Sequence, residues 1–182
     1  MPPFAGTASP RTDMRLFIAI TFEDAVLDEL EELMAQCRTL GRGGWTRRDN
    51  LHLTLEFLGE RKDSAAARAA MDAVTAGPVD LTLSGLGFFR REGGDILWLG
   101  VDRSPALLDL QKQLHQQLKA RGLKLENRPY RPHLTLARRA VMKDLPPSPT
   151  LTQHVAAISL MESRRVDGVL TYTELYRKEL AG

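Results

Sequence analysis

Cysteine is nearly absent: the chain has one, Cys37. That excludes an internal disulfide and any cysteine cluster for zinc. Cys37 falls on the apolar stripe of an expected helix, where a small buried hydrophobe is the default. No apolar run approaches the ~20 residues of a membrane-spanning helix. The first thirteen residues, with Pro2, Pro3, Gly6 and Pro10, lack the charged head and apolar middle of a secretory signal. They are expected to form a mobile N-terminal tail (1–13) ahead of a single bilobal domain (14–182), in a cytoplasmic protein, with Met14 as an alternative translation start. Strong charge of either sign is also missing. A net charge of +2 and a pI near 8.8 do not describe a protein that coats nucleic acid. There is no glycine-rich phosphate loop and no His-Glu-x-x-His helix. What remains is 43% hydrophobic and 26% charged residues over 182 positions, an ordinary globular composition with enough chain for a real core.

Of only four histidines, two head the same tetrapeptide. Asn50-Leu51-His52-Leu53-Thr54-Leu55-Glu56-Phe57-Leu58 and Arg131-Pro132-His133-Leu134-Thr135-Leu136-Ala137-Arg138 both contain His-Leu-Thr-Leu within an apolar/polar alternation. Period-2 alternation marks a half-buried strand, whose same-face residues lie about 7 Å apart. His52 and Thr54 therefore share one face, as do Arg131, His133 and Thr135. By the same parity Glu56 shares the face of His52, and Phe57 points away from it.

Read in order, Arg15 to Ile20 is a central strand. Thr21 and Asp24 form an approximate capping box for a helix with Val26, Leu27, Leu30, Leu33, Met34 and Cys37 on its stripe. Gly41, Gly43 and Gly44 stop it. After the first His-Leu-Thr-Leu strand comes an alanine-rich helix, capped by Asp63 or Ser64, packing through Ala66, Ala69, Ala70, Ala73 and Val74. A hairpin follows, with strands over 79–89 and 96–101. Ser104 and Pro105 then open a third helix, with Leu107, Leu110, Leu114 and Leu118 as its stripe. His115 beside that stripe is expected to be solvated. The second His-Leu-Thr-Leu strand, a proline-rich crossing over 145–149 and a closing hairpin (152–163 with 169–176) complete an α+β chain. His154, near the start of that hairpin, is assigned no role. The recurrence of helix, histidine strand and hairpin predicts two pseudo-twofold-related lobes. Mostly antiparallel sheet with helices on the outer faces would leave a central cleft between the histidine strands.

Two imidazoles across one phosphate supply an acid and a base near neutral pH. The threonine hydroxyls would hold non-bridging oxygens, and Arg131 would neutralise charge beside them. A His52/His133/Glu56 metal site is the rival, weakened by threonine's poor quality as a zinc ligand; no metal and no cofactor is expected.

These residues resemble the two-histidine phosphoesterase superfamily, which is marked by a pair of His-x-Thr/Ser-x motifs. They are most similar to the bacterial and archaeal RNA 2',3'-cyclic phosphodiesterases, historically called 2'-5' RNA ligases. Arg15 to Ile20, Trp45 and Ser159 to Ser163 also fit. The resemblance implies a bilobal fold with a basic cleft and metal-independent opening of a terminal 2',3'-cyclic phosphate to a 2'-phosphate. It further implies that His52 is the proton donor and His133 the proton acceptor, with Thr54 and Thr135 on the phosphate. The expected partners are RNA with a 2',3'-cyclic phosphate end, or small cyclic nucleotides, acted on by a monomer that does not engage membranes. Phe17 and Tyr130 are candidates to stack the terminal base. Two alternatives remain open: 2'-5' ligation or hydrolysis of another small cyclic or 2'-5' nucleotide, and a non-catalytic module that only grips RNA ends.

Overall fold

The computed structural model describes residues 13–181. Apart from Asp13, the expected tail lies outside them. The elements in chain order are β1 (Met14–Ile20), α1 (Asp24–Arg38), β2 (Gly41–Trp45), β3 (Leu53–Arg61), α2 (Ala65–Asp72), β4 (Val79–Phe89), β5 (Asp95–Val101), α3 (Pro105–Ala120), β6 (His133–Met142), β7 (Leu151–Val155), β8 (Ala157–Val166) and β9 (Val169–Glu179). They build two antiparallel sheets, one of four strands in the order β3-β1-β8-β9 and one of five in the order β2-β6-β5-β4-β7. Each sheet contains one histidine strand, and β3 and β6 meet between them. The α+β, two-lobed architecture read from the sequence is the one observed.

One face of each sheet is buried under helices. α1 packs on β2 and β7, while α2 and α3 pack on each other and reach β8, β9, β3 and β4. The apolar stripe of α3 (Leu107, Leu110, Leu114, Leu118) is fully buried, and Ser104 caps the helix by accepting the Leu107 amide at 3.2 Å. Burying such leucines contributes roughly 1.5–3 kcal/mol each. Phe17 and His52 lie together on the opposite face of the four-stranded sheet. There a small patch of Phe17, Ala19 and Met161 is buried on its own, with Tyr172 packed against it.

Several local expectations are corrected. α1 starts after Glu23, whose side chain makes no cap; the Glu23 amide instead donates to Gln153 Oε1 at 3.1 Å, so Thr21 closes no capping box. Gly41, Gly43 and Gly44 do not form a loop but the strand β2, laid against β6. Bare glycine suits that edge, since a Cβ on Gly41 would fall 2.5 Å from the Val141 carbonyl. The buried face of α2 is Ala67, Ala70 and Met71, with Val74 just beyond it, rotated from the expected alanine stripe. The single strand expected over 152–163 is two, because the chain leaves one sheet at Val155 and enters the other at Ala157.

Both histidine strands carry an irregularity at the same place. In β3, Thr54 pairs with Ala19 and Glu56 with Ile18, so Leu55 is an extra residue. In β6, Thr135 pairs with Trp98 and Ala137 with Leu97, so Leu136 is extra. A bulge inserts one unpaired residue and re-aims everything after it. Two successive side chains therefore face the core in each copy, Leu55 with Glu56 and Leu136 with Ala137, all buried. The next residues, Phe57 and Arg138, turn to the cleft side and are exposed.

Candidate active site

The two imidazoles are held by one device used twice. His52 Nδ1 lies 2.7 Å from the Asn50 carbonyl, and His133 Nδ1 lies 2.7 Å from the Arg131 carbonyl. A carbonyl only accepts, so Nδ1 carries a proton in each ring and Nε2 is left to exchange one. At His52 the neutral Nε2 accepts from the Thr54 hydroxyl at 2.9 Å. Asn50 is itself buried, and its Nδ2 donates to the Leu170 carbonyl at 2.9 Å. The turn carrying it is pinned to α1 by Arg48, which bonds Asp28 at 2.7 Å.

Aromatic rings fix the imidazole planes. Phe17 lies 5.0 Å from His52 and Tyr172 lies 5.1 Å from it edge-on, with 4.9 Å between Phe17 and Tyr172. His133 meets Phe89 edge-on at 4.8 Å. Phe89 in turn packs on Trp98, whose indole lies so close over Gly87 that a Cβ there would come within 2.4 Å of the ring.

The rings share an electrostatic environment. Burial pushes the His52 imidazole below its ordinary range, assisted by the charges of Arg138 and His133. Burial does the same to His133, and Arg138 again adds to it. One guanidinium therefore bears on both histidines, and the charge of His133 is felt at His52. Imidazoles on opposite faces of the molecule would share neither effect, because charge interactions fall off with distance. The charges of Arg138 and His133 thus both reach the His52 ring, and Thr54 and Thr135 each stand two residues beyond their histidine along β3 and β6.

The other site residues read from the sequence divide. Arg131 is exposed and contributes its carbonyl to His133, while the cation acting on both rings is Arg138. Phe17 is only 4% exposed, so it buttresses His52 and offers no free face to a base. The Tyr130 hydroxyl donates to the Thr54 carbonyl at 2.8 Å, and its ring packs on the core. Burial and the neighbouring Glu56 charge raise the Tyr130 phenol well above its ordinary range. Two parity readings are overturned by the bulge at Leu55. Phe57 does not point away from His52's neighbourhood; it is 69% exposed and its ring lies 6.5 Å from Phe17. Glu56 does not share the face of His52 but turns to the core, where it accepts from Gln111 at 2.8 Å and meets His115 Nδ1 at 2.5 Å. His115 is consequently not solvated, and a His52/His133/Glu56 ligand set does not assemble. Burial raises the Glu56 carboxyl despite its hydrogen bonds.

Sequence reasoning missed Phe57, Arg138 and Tyr172. The first two stand five residues after their histidines in both copies, and comparing the copies beyond Leu55 and Leu136 was the available signal. Tyr172 lies far along the chain, and only the ladder pairing it with Ser163 brings it to the site.

Residues 26–167 match the family model described as 2'-5' RNA ligase superfamily. A protein of Escherichia coli K12 named RNA 2',3'-cyclic phosphodiesterase is 32% identical over 169 residues, covering 90% of this chain and 94% of that one. A protein of the same name from Thermotoga maritima is 34% identical over 131 residues, covering 69% and 70%. Among solved structures, E. coli LigT in apo form superposes with a TM-score of 0.81 at 30% identity, covering 94% of this chain and 99% of that one.

Proposed function

The chain belongs to the 2'-5' RNA ligase superfamily, and from that premise we propose that it hydrolyses the 2',3'-cyclic phosphate at an RNA end, leaving a 2'-phosphate. The observation that supports this reading is the matched pair of imidazoles, each with Nδ1–H anchored to a backbone carbonyl and Nε2 left to exchange a proton. The relatives named above as RNA 2',3'-cyclic phosphodiesterases support the substrate class.

In the reaction, His133 Nε2 takes a proton from water as its oxygen attacks phosphorus. The P–O3' bond breaks, and a protonated His52 gives its Nε2 proton to the departing 3' oxygen. That order follows the family resemblance. Each proton transfer contributes about a hundred- to ten-thousand-fold in rate. Arg138 and the two threonine hydroxyls stabilise the charge that builds on the non-bridging oxygens. Arg138 also keeps both rings from holding protons too firmly, so each can change state within the cycle. Phe57 gives the terminal base an exposed ring to stack on. The protein acts as a cytoplasmic monomer and needs no metal.

The direct test is RNA ending in a 2',3'-cyclic phosphate, incubated with excess chelator, with the product analysed for the position of its phosphate. The reading expects a 2'-phosphate formed at an undiminished rate. A 3'-phosphate, or loss of turnover with the chelator, contradicts it. Joined product from two RNA ends would favour the ligase alternative.

A further inference from the structure

The cleft face of the four-stranded sheet does not end at His52. Paired strand residues share a face, so the ladder partners Met161–Glu174, Ser163–Tyr172 and Arg165–Leu170 all look to the side on which Tyr172 touches His52. Arg15, two residues before Phe17, lies opposite Ser163 on that same face. Its charge and that of Arg138 both act on the Tyr172 hydroxyl. Beyond it, Arg165 and Leu170 lie one further same-face step along the hairpin, about 7 Å on. The hairpin tip is unusually apolar for an exposed element, with Val166 43%, Val169 40% and Leu170 37% exposed. Arg165 Nη1 donates to the Gly168 carbonyl at 3.2 Å, which holds the guanidinium over the turn. The tip is not a loose arm, because Asn50 grips Leu170 and also orients His52. Two carboxylates lie on this face. Glu60 is opposite Arg15 in the ladder, and Glu174 is bonded by the Ser159 hydroxyl at 2.9 Å. Neither forms an ion pair with Arg15 or Arg165 among the described residues.

We propose that Arg15 and Arg165, with the apolar hairpin tip around Leu170, form a track for the RNA backbone upstream of the reacting end. The preferred substrate is then an oligonucleotide rather than a cyclic mononucleotide. This rests on the RNA-end reading above and goes beyond it. Arg15, opposite Ser163, and Arg165, two residues beyond Ser163, stand on one face of the sheet in successive same-face positions. Spacing of this kind suits a single strand, whose binding is governed by phosphate contacts. The exposed Leu170 beside Arg165 gives sugars and bases an apolar surface.

The test compares wild type with the exposed-surface variant Arg15→Gln/Arg165→Gln. Two cleavage substrates are used, 2',3'-cyclic AMP and an oligoadenylate hexamer with a 2',3'-cyclic end. Binding of a fluorescent hexamer ending in a 2'-phosphate is measured across a salt series. Wild type is expected to favour the hexamer in kcat/KM. The variant is expected to lose roughly tenfold on the hexamer, with its salt slope reduced by about 1.4 for two lost phosphate contacts on a single strand. Cleavage of the mononucleotide should stay within about twofold, since neither side chain reaches the reacting phosphate in this assignment. A variant that matches wild type on the hexamer, or that loses equally on both substrates, overturns the track. A wild type that cleaves neither substrate but binds the hexamer with the expected salt slope overturns the phosphodiesterase reading and leaves the track standing.

Discussion

The hydroxyl of Tyr130 donates to the carbonyl of Thr54 at 2.8 Å, tying the loop before the second histidine strand to the bulge in the first. The other copy has a counterpart: Thr46 Oγ1 donates to the Thr135 carbonyl at 3.0 Å. A bulge interrupts the ladder, and buried backbone groups there need other partners. Each threonine thus has its carbonyl capped by a side chain, and the Thr54 hydroxyl is left to bond His52.

Tyr130→Phe removes that cap and leaves a partly buried acceptor unsatisfied. The expected cost is about 1–3 kcal/mol in denaturant unfolding. A fall in kcat/KM on cyclic-phosphate RNA should accompany it, because Thr54 and His52 are bonded to one another. Unchanged stability would show that the bond contributes nothing.

Phe57 and Phe17 should behave oppositely. Phe57→Ala, at an exposed position, is expected to leave stability within about 0.5 kcal/mol. It should weaken binding of the terminal nucleotide by about 1–3 kcal/mol if the ring stacks a base. Phe17→Ala empties a buried site and should cost about 3–5 kcal/mol of folding stability. Calorimetric unfolding and nucleotide titration of the two variants separate the roles.

The contrast between these two phenylalanines shows what the sequence could and could not convey. Strand alternation, the leucine stripe of α3 and the duplicated His-Leu-Thr-Leu were legible because each is a local repeat with a fixed period. The architecture and the four motif residues followed from them. Phe57, Arg138 and Glu56 were misplaced or passed over because one extra residue at Leu55 or Leu136 inverts parity, and a bulge leaves no mark in the period before it. The Glu56–His115 pair depends on α3 crossing behind β3, and the break at Ala156 depends on which sheet edge is open. Both are tertiary facts. The glycines of β2 looked like punctuation because local preference disfavours glycine in strands, whereas close approach to β6 requires it.

Arg138→Gln should raise both histidines, since its charge helps hold both down. The sign follows from a neighbouring cation penalising imidazolium. In wild type both limbs of the kcat/KM profile should lie lower than ordinary imidazoles would set them, and in the variant both should move to higher pH. Folding stability carries the same signature. Groups whose folded pKa is depressed contribute fully above about pH 6.5 and lose that contribution as pH falls through the folded value. The variant should therefore lose less stability on acidification. Profiles that coincide for the two proteins would remove Arg138 from the site.

His115→Ala leaves the buried Glu56 carboxylate without its ring partner. Breaking one side of such a pair typically costs about 3–5 kcal/mol. Glu56→Gln/His115→Ala should recover part of this, which a double-mutant cycle by chemical denaturation measures.

If the rings of His52 and His133 grip one phosphate between them, both respond to a single bound nucleotide. This is tested by nuclear magnetic resonance titration of both imidazoles with and without bound adenosine 2'-phosphate. Each ring is expected to titrate below the ordinary histidine value in the free protein and to rise on binding, since a dianion favours both imidazolium forms. Movement of only one ring, or of neither, at saturating nucleotide would contradict the account.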